Sequence, residues 1–517
     1  MLSENEFFRD NNSDTVWTRY CGFLDLSLEK FCEIQQRLLL DQITKAADAP
    51  LYKELMPNAR LRSIEEFRLT VPLSNYKDYT PYLQDDREDM LTEKPHYWVH
   101  TSASRGIFKR VPWTHRFHLM QSRNVISALI LSAAKESGDV RVTPDCKILN
   151  LLPRRPFASA CLGFGVIERF SAQLVPPLQS SEGLPFIKKM DTAILSALND
   201  DIDFAFAMTS SLLRTGQRFG QLWNQIKRKP RILFKLHPSV ALRLLWSKRD
   251  AHAFPKSAWA VKGIITWGAD SNALNRTIEE QWGKKPLQLY ASSEAGIIAM
   301  QDWGRGPMAF LPDSVFLEFI PEEFVNKNDP PTVLIDEVEE GKAYELVITS
   351  LYGMPFLRYR QGDLIRIVQN NARGNGVPRL TFLGRADDVI DIFGIARLNT
   401  EVVSEALGQI GVSSEDWCLY KEYESGRVVL SLYIELDNGV KVAELYRRLN
   451  RALKSVDRHW GEAIYTMGYN PIRVKVLPRG AFRRLSHRYS TDNHRWLHIN
   501  PPDSMVQELV RFGEEKA

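Results

Sequence analysis

The sequence predicts a mixed α/β protein of two or three domains. Short apolar runs, ILNLLP from Ile148, FAFAM from Phe204 and GIITWG from Gly263, alternate with helically spaced stretches between Lys147 and Gln288, the rhythm of a layered α/β core. Two later segments, SVFLEFI (Ser314–Ile320) and AYELVITS (Ala343–Ser350), alternate like antiparallel strands. They flank a Pro- and acid-rich loop, Glu322–Lys342, so a smaller β-rich subdomain is expected there. A length of 517 residues exceeds what one ordinary core encloses.

Taken in order, residues 15–48 space Trp17, Tyr20, Leu24, Leu28, Phe31, Ile34 and Leu38 as one apolar helical stripe, which predicts a helical N-terminal layer. The longest nearly apolar run, Val125–Ala134, is far short of the roughly 20 residues of a membrane-spanning helix. The start, MLSENEFFRDNNSD, is acidic and polar and lacks the positive end and apolar stretch of a signal peptide, so a soluble cytoplasmic protein is expected, with no membrane partner.

Hydrophobic residues make up 44% and charged residues 25%, a globular balance. Cys21, Cys32, Cys146, Cys161 and Cys418 are scattered, without a CxxC pair, and read as reduced, mostly buried thiols. No HExxH, GxSxG or EF-hand pattern supports a metalloprotease, esterase or calcium sensor. A net charge of +4 is too small to argue for nucleic acid. Its distribution is uneven, because Val440–Asn500 holds 13 Lys/Arg against four Asp/Glu. That basic end is either a solvated face or a surface for triphosphate, pyrophosphate or the phosphates of coenzyme A, with RNA as a weaker third reading.

Three ordered motifs carry a resemblance. FLRYRQGDLIRI followed by LTFLGRADDVIDIFGIARLNTEVVSEAL (Phe356 onward) resembles the ribose-binding segment and hinge of the adenylate-forming enzymes: acyl-CoA synthetases, peptide-synthetase adenylation domains and luciferase. YASSEAG (Tyr290–Gly296) stands where that superfamily has its YGxTE motif, and TSASRGIFKR (Thr101–Arg110) where it has its phosphate loop. The stretch Ile64–Leu83, IEEFRLTVPLSNYKDYTPYL, is similar to one branch, the acyl acid amido synthetases named for plant auxin-responsive proteins, and to its bacterial relatives.

The resemblance implies a large nucleotide- and acyl-binding domain over 1–383, a hinge at 384–388 with Asp387 at its centre, and a small mobile α+β domain over 389–517. ATP and Mg²⁺ are the implied cofactors, a small-molecule carboxylic acid and an amine the implied partners. Small residues let backbone N–H groups approach phosphate oxygens, so Thr101, Ser102, Ser104, Gly106 and Lys109 are assigned to the β- and γ-phosphates. Ala103 replaces the usual glycine there, and Arg105 a small residue, with Arg105 adding a charge contact. Tyr290 is expected against adenine, which GIITWGAD (Gly263–Asp270) braces. Ser292 and Ser293 are expected at the α-phosphate or acyl carboxylate, and Glu294 on Mg²⁺, which favours one or two carboxylates plus phosphate oxygens. Asp363 accepts both ribose hydroxyls, and Arg385 reaches ribose or phosphate. Read alone, TSASRGIFKR would be a polar loop and Gly362-Asp363 a turn; their order with YASSEAG argues otherwise.

The superfamily's catalytic lysine has no counterpart, since no lysine occurs between Lys475 and Lys516. HRWLHIN (His494–Asn500) puts Arg495 in that place, and arginine is bulkier and planar. Three explanations stay open: Arg495 takes the role, Arg483 or Arg484 does, or adenylation is slow or absent. Apolar walls for the acid are sought in Ser159–Phe170, Met208–Leu213 and the strand before Tyr290. The expected activity is acid activation by ATP followed by transfer to an amino acid. Transfer to coenzyme A, as in phenylacetate-CoA ligases, is the alternative, and a non-catalytic relative binding nucleotide, acyl ligand or a partner protein is the second. Oligomeric state is not legible.

Overall fold

A computed structural model of the chain describes residues 4–47, 49–55, 61–83, 85–100, 109–153, 155–181, 184, 186–228, 254–268, 271–325, 327, 329–368, 376–385, 389–393, 395–411, 417–436, 441–478, 480–482, 484–485, 498–501 and 503–514. Its contacts divide it into two compact units, one of Met1–Thr101 with Lys109–Gly384 and one that includes Arg385–Ala517.

The first unit opens with helices, as the N-terminal stripe predicts, but in two pieces. Helix Ser13–Cys21 gives way to a 3₁₀ turn at Gly22–Asp25, and helix Leu28–Ala46 restarts on Ser27, whose hydroxyl accepts the Lys30 N–H. Trp17, Tyr20, Leu24 and Phe31 are buried, while Gln35 and Gln42 occupy core positions that the stripe would give to apolar residues. Gln35 donates to the Pro312 and Val315 carbonyls and accepts from Leu317 N–H, and so ties this helix to a sheet.

A hairpin of β1 (Pro95–His100) and β2 (Arg110–Thr114) follows. Helix His115–Ala133 starts on the Thr114 cap, and the long apolar run Val125–Ala134, which ends at its C-cap, is buried at every residue. Among the described residues no helix is long and apolar enough to cross a membrane.

The main sheet is formed by β3 (Lys147–Asn150), β4 (Gln173–Val175), β5 (Phe204–Met208), β6 (Gly263–Trp267), β7 (Leu287–Ser292), β8 (Gly296–Met300), β9 (Met308–Phe310), β10 (Val315–Pro321), β11 (Ala343–Ser350), β12 (Tyr359–Val368) and β13 (Arg379–Arg385). Their order is β10-β11-β12-β13-β9-β8-β7-β6-β5-β3-β4. Strands β3 to β7 pair in parallel, with helices in their crossovers, as the alternation between Lys147 and Gln288 predicts. From β7 to β8 the pairing turns antiparallel.

The expected β-rich part is the antiparallel end of this same sheet. β10 and β11 pair in register from Val315↔Ser350 to Pro321↔Tyr344, and both are buried on both faces apart from Pro321. Their alternation therefore does not separate a core face from a wet one. It separates apolar residues from Glu318 and Glu345, which are buried against arginines: Arg358 holds Glu318 at 2.9 Å, and the Arg360 Nε donates to Glu345 at 3.0 Å.

The second unit has its own small core. A two-stranded ribbon of β14 (Val389–Ile392) and β15 (Ala396–Asn399) precedes a three-stranded sheet of β16 (Trp417–Glu424), β17 (Arg427–Glu435) and β18 (Ile472–Leu477). Helix Val442–Val456 buries Leu445, Leu449, Ala452 and Leu453 at helical spacing. Its opposite side exposes Arg447, Arg448, Arg451 and Lys454.

Candidate active site

Strand β7 is the last parallel strand, and the chain leaves its C-terminal end through the turn that carries Glu294, the position where open α/β sheets place ligands. A register shift between Tyr290 and Ala291 re-aims the strand there. Gly296 closes the turn with a φ of +65°, and a Cβ at this residue would lie 2.1 Å from the Gln121 side chain. Gln121, reaching from helix His115–Ala133, clamps the turn by donating to the Ala295 carbonyl at 3.2 Å and accepting from Ile297 N–H at 2.8 Å. Trp113 donates to the Ser293 carbonyl, and the Ser292 hydroxyl accepts from Ala295 N–H. Both serines thus lie in a turn fixed from three directions.

On β12 the residues Tyr359, Gln361, Asp363, Ile365 and Ile367 face inward while their neighbours are less buried. Two of the inward residues meet the turn. Tyr290 donates from its hydroxyl to Asp363 Oδ2 at 2.9 Å, and Tyr359 donates to Glu294 Oε1 at 2.8 Å. In the sheet β8, β9 and β13 stand between β7 and β12. Four flat spacings would keep these strands about 19 Å apart, so the sheet must curl to bring the two motifs together.

Lys109 completes the group. Its Nζ lies 2.9 Å from Glu294 Oε1 and donates to the Tyr359 hydroxyl at 2.9 Å, with the Tyr76 ring 5.2 Å away. Burial pushes the Glu294 carboxyl up, but the Lys109 charge, hydrogen bonds from Lys109 and Tyr359 and a backbone hydrogen bond outweigh it and hold the pKa at about 2. The carboxylate is therefore ionised at neutral pH. Lys109 follows the segment that joins the paired ends His100 and Arg110 of β1 and β2, the segment that holds TSASRGI.

The stretch Ile64–Leu83 scaffolds this group. Ser74 bridges to Tyr359 by accepting from Arg360 N–H and donating to the Arg358 carbonyl; Tyr79 accepts from Leu357 N–H; and Tyr76 accepts from Arg110 N–H at 2.7 Å. Arg358, at a φ of +41°, fixes the same stretch from beneath, donating to the Arg68 and Val71 carbonyls as well as to Glu318.

The structure thus joins Lys109, Glu294, Tyr290 and Asp363, and places Ser292 and Ser293 in the turn between them. Arg385 ends β13, three residues after Phe382, whose ring lies 5.7 Å from that of Tyr290. Trp267, at the end of GIITWG, pairs with Leu289 one residue before Tyr290. Ser102, Ser104, Arg105, Gly106, Asp387, Arg483 and Arg495 lie outside the described residues. Lys109, expected on phosphates, is here ion-paired to Glu294. Tyr359 and Tyr76 were not singled out by any motif; the inward alternation of YRQGD, which puts Tyr359 on the face of Asp363, is the signal that could have found the first.

Residues 21–149 match the GH3 family N-terminal domain, and residues 308–385 match the GH3 family central domain. The chain carries GH3 family domains. The first holds Tyr76 and Lys109, the second Tyr359, Asp363 and Arg385, and Tyr290–Gly296 falls between them. The chain is 26% identical to the indole-3-acetic acid-amido synthetase GH3.3 of Arabidopsis thaliana over 38% of its own length and 35% of that protein's. It is 32% identical to the indole-3-acetic acid-amido synthetase GH3.8 of Oryza sativa subsp. indica over 63% of its length and 62% of that protein's. In both cases it spans less than two thirds of the relative. The fold matches that of AtGH3.15 acyl acid amido synthetase in complex with 2,4-DB, with a TM-score of 0.57 at 16% identity over 95% of each chain.

Proposed function

We propose that this protein is an ATP-dependent ligase that converts a carboxylic acid to an acyl-adenylate and transfers the acyl group to an amine, an amino acid by analogy with its GH3 relatives. The observation that carries this reading is the cross-pairing of Tyr290 with Asp363 and of Glu294 with Tyr359 and Lys109. It gathers motifs from three parts of the chain into one group with a carboxylate for ribose, an ionised carboxylate for a cation and an ammonium beside the phosphate segment.

Glu294 fits a magnesium ion by its chemistry: it is a buried, ionised hard-oxygen donor that already draws a cation to Oε1, while Oε2 is engaged by no side chain among the described residues. When bound, the metal would offset charge on the phosphate oxygens as pyrophosphate departs. The protein's own part is to orient and to donate. Asp363 accepts the ribose hydroxyls, the Tyr290 ring supports the adenine, and the turn of Ser292 and Ser293 meets the α-phosphate and the acid. In this reading Ser102, Ser104, Arg105 and Gly106 grip the β- and γ-phosphates, Arg385 the ribose or phosphates, and Arg495 stabilises the charge that the superfamily's lysine otherwise meets. Residues 1–383 form the nucleotide- and acyl-binding domain, and the 384–388 hinge, with Asp387, lets residues 389–517 change orientation between the half-reactions.

Acid-dependent exchange of labelled pyrophosphate into ATP, followed by mass spectrometry of products formed with amino acids or coenzyme A, tests this reading. Exchange that is lost on chelation of Mg²⁺ and in Glu294→Gln, with an amide product, is expected. A thioester product would instead favour coenzyme A as acceptor, the reading that the exposed arginines of helix Val442–Val456 support. Absence of exchange across aromatic and aliphatic acids would favour a binding-only protein.

A further inference from the structure

We propose that Lys109 is the exchangeable counter-cation of Glu294 and that Tyr359 is the positioning residue that keeps the carboxylate in place while the cation changes. The ammonium sits on the carboxylate until a divalent cation takes its position, and Lys109 is then released towards the nucleotide phosphates. This inference rests on the ligase reading above and adds to it an order of events at one carboxylate.

The two partners of Oε1 differ in how firmly each is held. Tyr359 is 2% exposed, begins β12, and is pinned beside Ser74 by backbone hydrogen bonds on both sides. Its rings of contact are Tyr79 and Phe356, the latter at 5.0 Å. A ring so fixed delivers its hydroxyl to one point. Lys109 is the opposite case: its side chain is 30% exposed, it has a flexible four-carbon stem, and it borders the segment assigned to phosphate.

Electrostatics gives the exchange its direction. Glu294 is buried, and an ionised carboxylate without a counter-charge is costly there. One ammonium meets that need; a divalent cation on the same carboxylate would repel the ammonium and leave it free to meet the phosphate charge that arrives with the nucleotide. Tyr359, being neutral, can donate to the carboxylate in either state.

The test uses the intact protein and Mn²⁺ as the probe, with binding read by electron paramagnetic resonance, without and with ATP. Lys109→Met is expected to bind Mn²⁺ at least about tenfold more tightly than wild type in the absence of nucleotide. Lys109→Arg, which keeps the charge, should stay as weak as wild type, and Tyr359→Phe introduced into Lys109→Met should give back part of the gain. Equal Mn²⁺ affinity of Lys109→Met and wild type overturns the exchange while leaving the ligase reading standing, provided that Glu294→Gln still weakens binding of Mn²⁺ with ATP. Unchanged Mn²⁺–ATP binding in Glu294→Gln removes Glu294 as the metal ligand and sinks both. Thermal unfolding of each variant separates loss of fold from loss of the site.

Discussion

Gly296 sets the direction of the turn that carries Glu294, and it does so by lacking a side chain. Its φ of +65° disfavours other residues, and the Gln121 amide fills the space a Cβ would need. Gly296→Ala is expected to destabilise the protein by about 1–3 kcal/mol in urea unfolding, and to lower Mn²⁺ binding at Glu294 in the folded protein because the clamp must shift. An alanine variant as stable as wild type would mean that the turn adapts at no cost. At this scale the sequence was partly legible. The resemblance of YASSEAG and YRQGD to superfamily motifs pointed to Glu294 and Asp363, because such motifs are short and contiguous in the chain. Gln121 and Tyr76 were not, since each acts through a contact made far along the chain, 174 residues away in the case of Gln121 and Ala295.

Between elements, a buried arginine joins Ser74 and Tyr79 in holding the N-terminal stretch Ile64–Leu83 to the antiparallel end of the sheet. Arg358 meets Glu318, two backbone carbonyls and Thr332, and both charged partners are almost wholly enclosed. Arg358→Met would leave Glu318 with the Thr332 hydroxyl and the partly buried Arg68 at 3.5 Å and is expected to cost about 3–5 kcal/mol of unfolding free energy. A loss below about 1 kcal/mol would show that Arg68 alone suffices. A second interface, between helix His115–Ala133 and helix Ala158–Phe170, rests on Gly165, where a Cβ would strike Ser122 and approach the His118 ring at 3.0 Å. Burial first, then the charges of His96, His115 and Arg169, bring the His118 pKa down from 6.5 to about 4. Between those values the unfolded chain takes a proton that the folded chain refuses. Stability should therefore rise with pH across this window and level off above it, with a slope from this group of up to about 1.4 kcal/mol per pH unit. Denaturant titrations of His118→Gln at pH 4.5, 5.5 and 7 should show a flatter dependence than wild type, and parallel curves would assign the slope to other groups. The sequence made the helices and strands legible through their periods, but the period-two alternation of β10 and β11 does not reveal a buried glutamate paired with a distant arginine.

For the whole molecule, charge is the property that composition alone conceals. The net value of +4 averages a basic stretch in the second unit against an acidic remainder. Within that unit, helix Val442–Val456 turns its leucines to the core and leaves Arg447 and Arg451, four residues apart, on one exposed strip with Lys454. Arg447 reaches only the Ala443 carbonyl of its own helix, so reversing its charge removes no tertiary contact among the described residues. This strip makes the choice of acyl acceptor testable without disturbing the first half-reaction. If the acceptor is coenzyme A and its phosphates lie on this face, the double variant Arg447→Glu, Arg451→Glu should raise the KM for coenzyme A at least about tenfold. Its pyrophosphate exchange should be unchanged. If the acceptor is an amino acid, the same variant should leave both exchange and amide formation within about twofold of wild type, since surface charges that meet no ligand contribute little. Steady-state kinetics with each acceptor, at low and at high salt, separate the two outcomes, because an effect carried by exposed charge fades as ionic strength rises. An equal loss of exchange would be the third result, and it would place the arginines in the adenylation step.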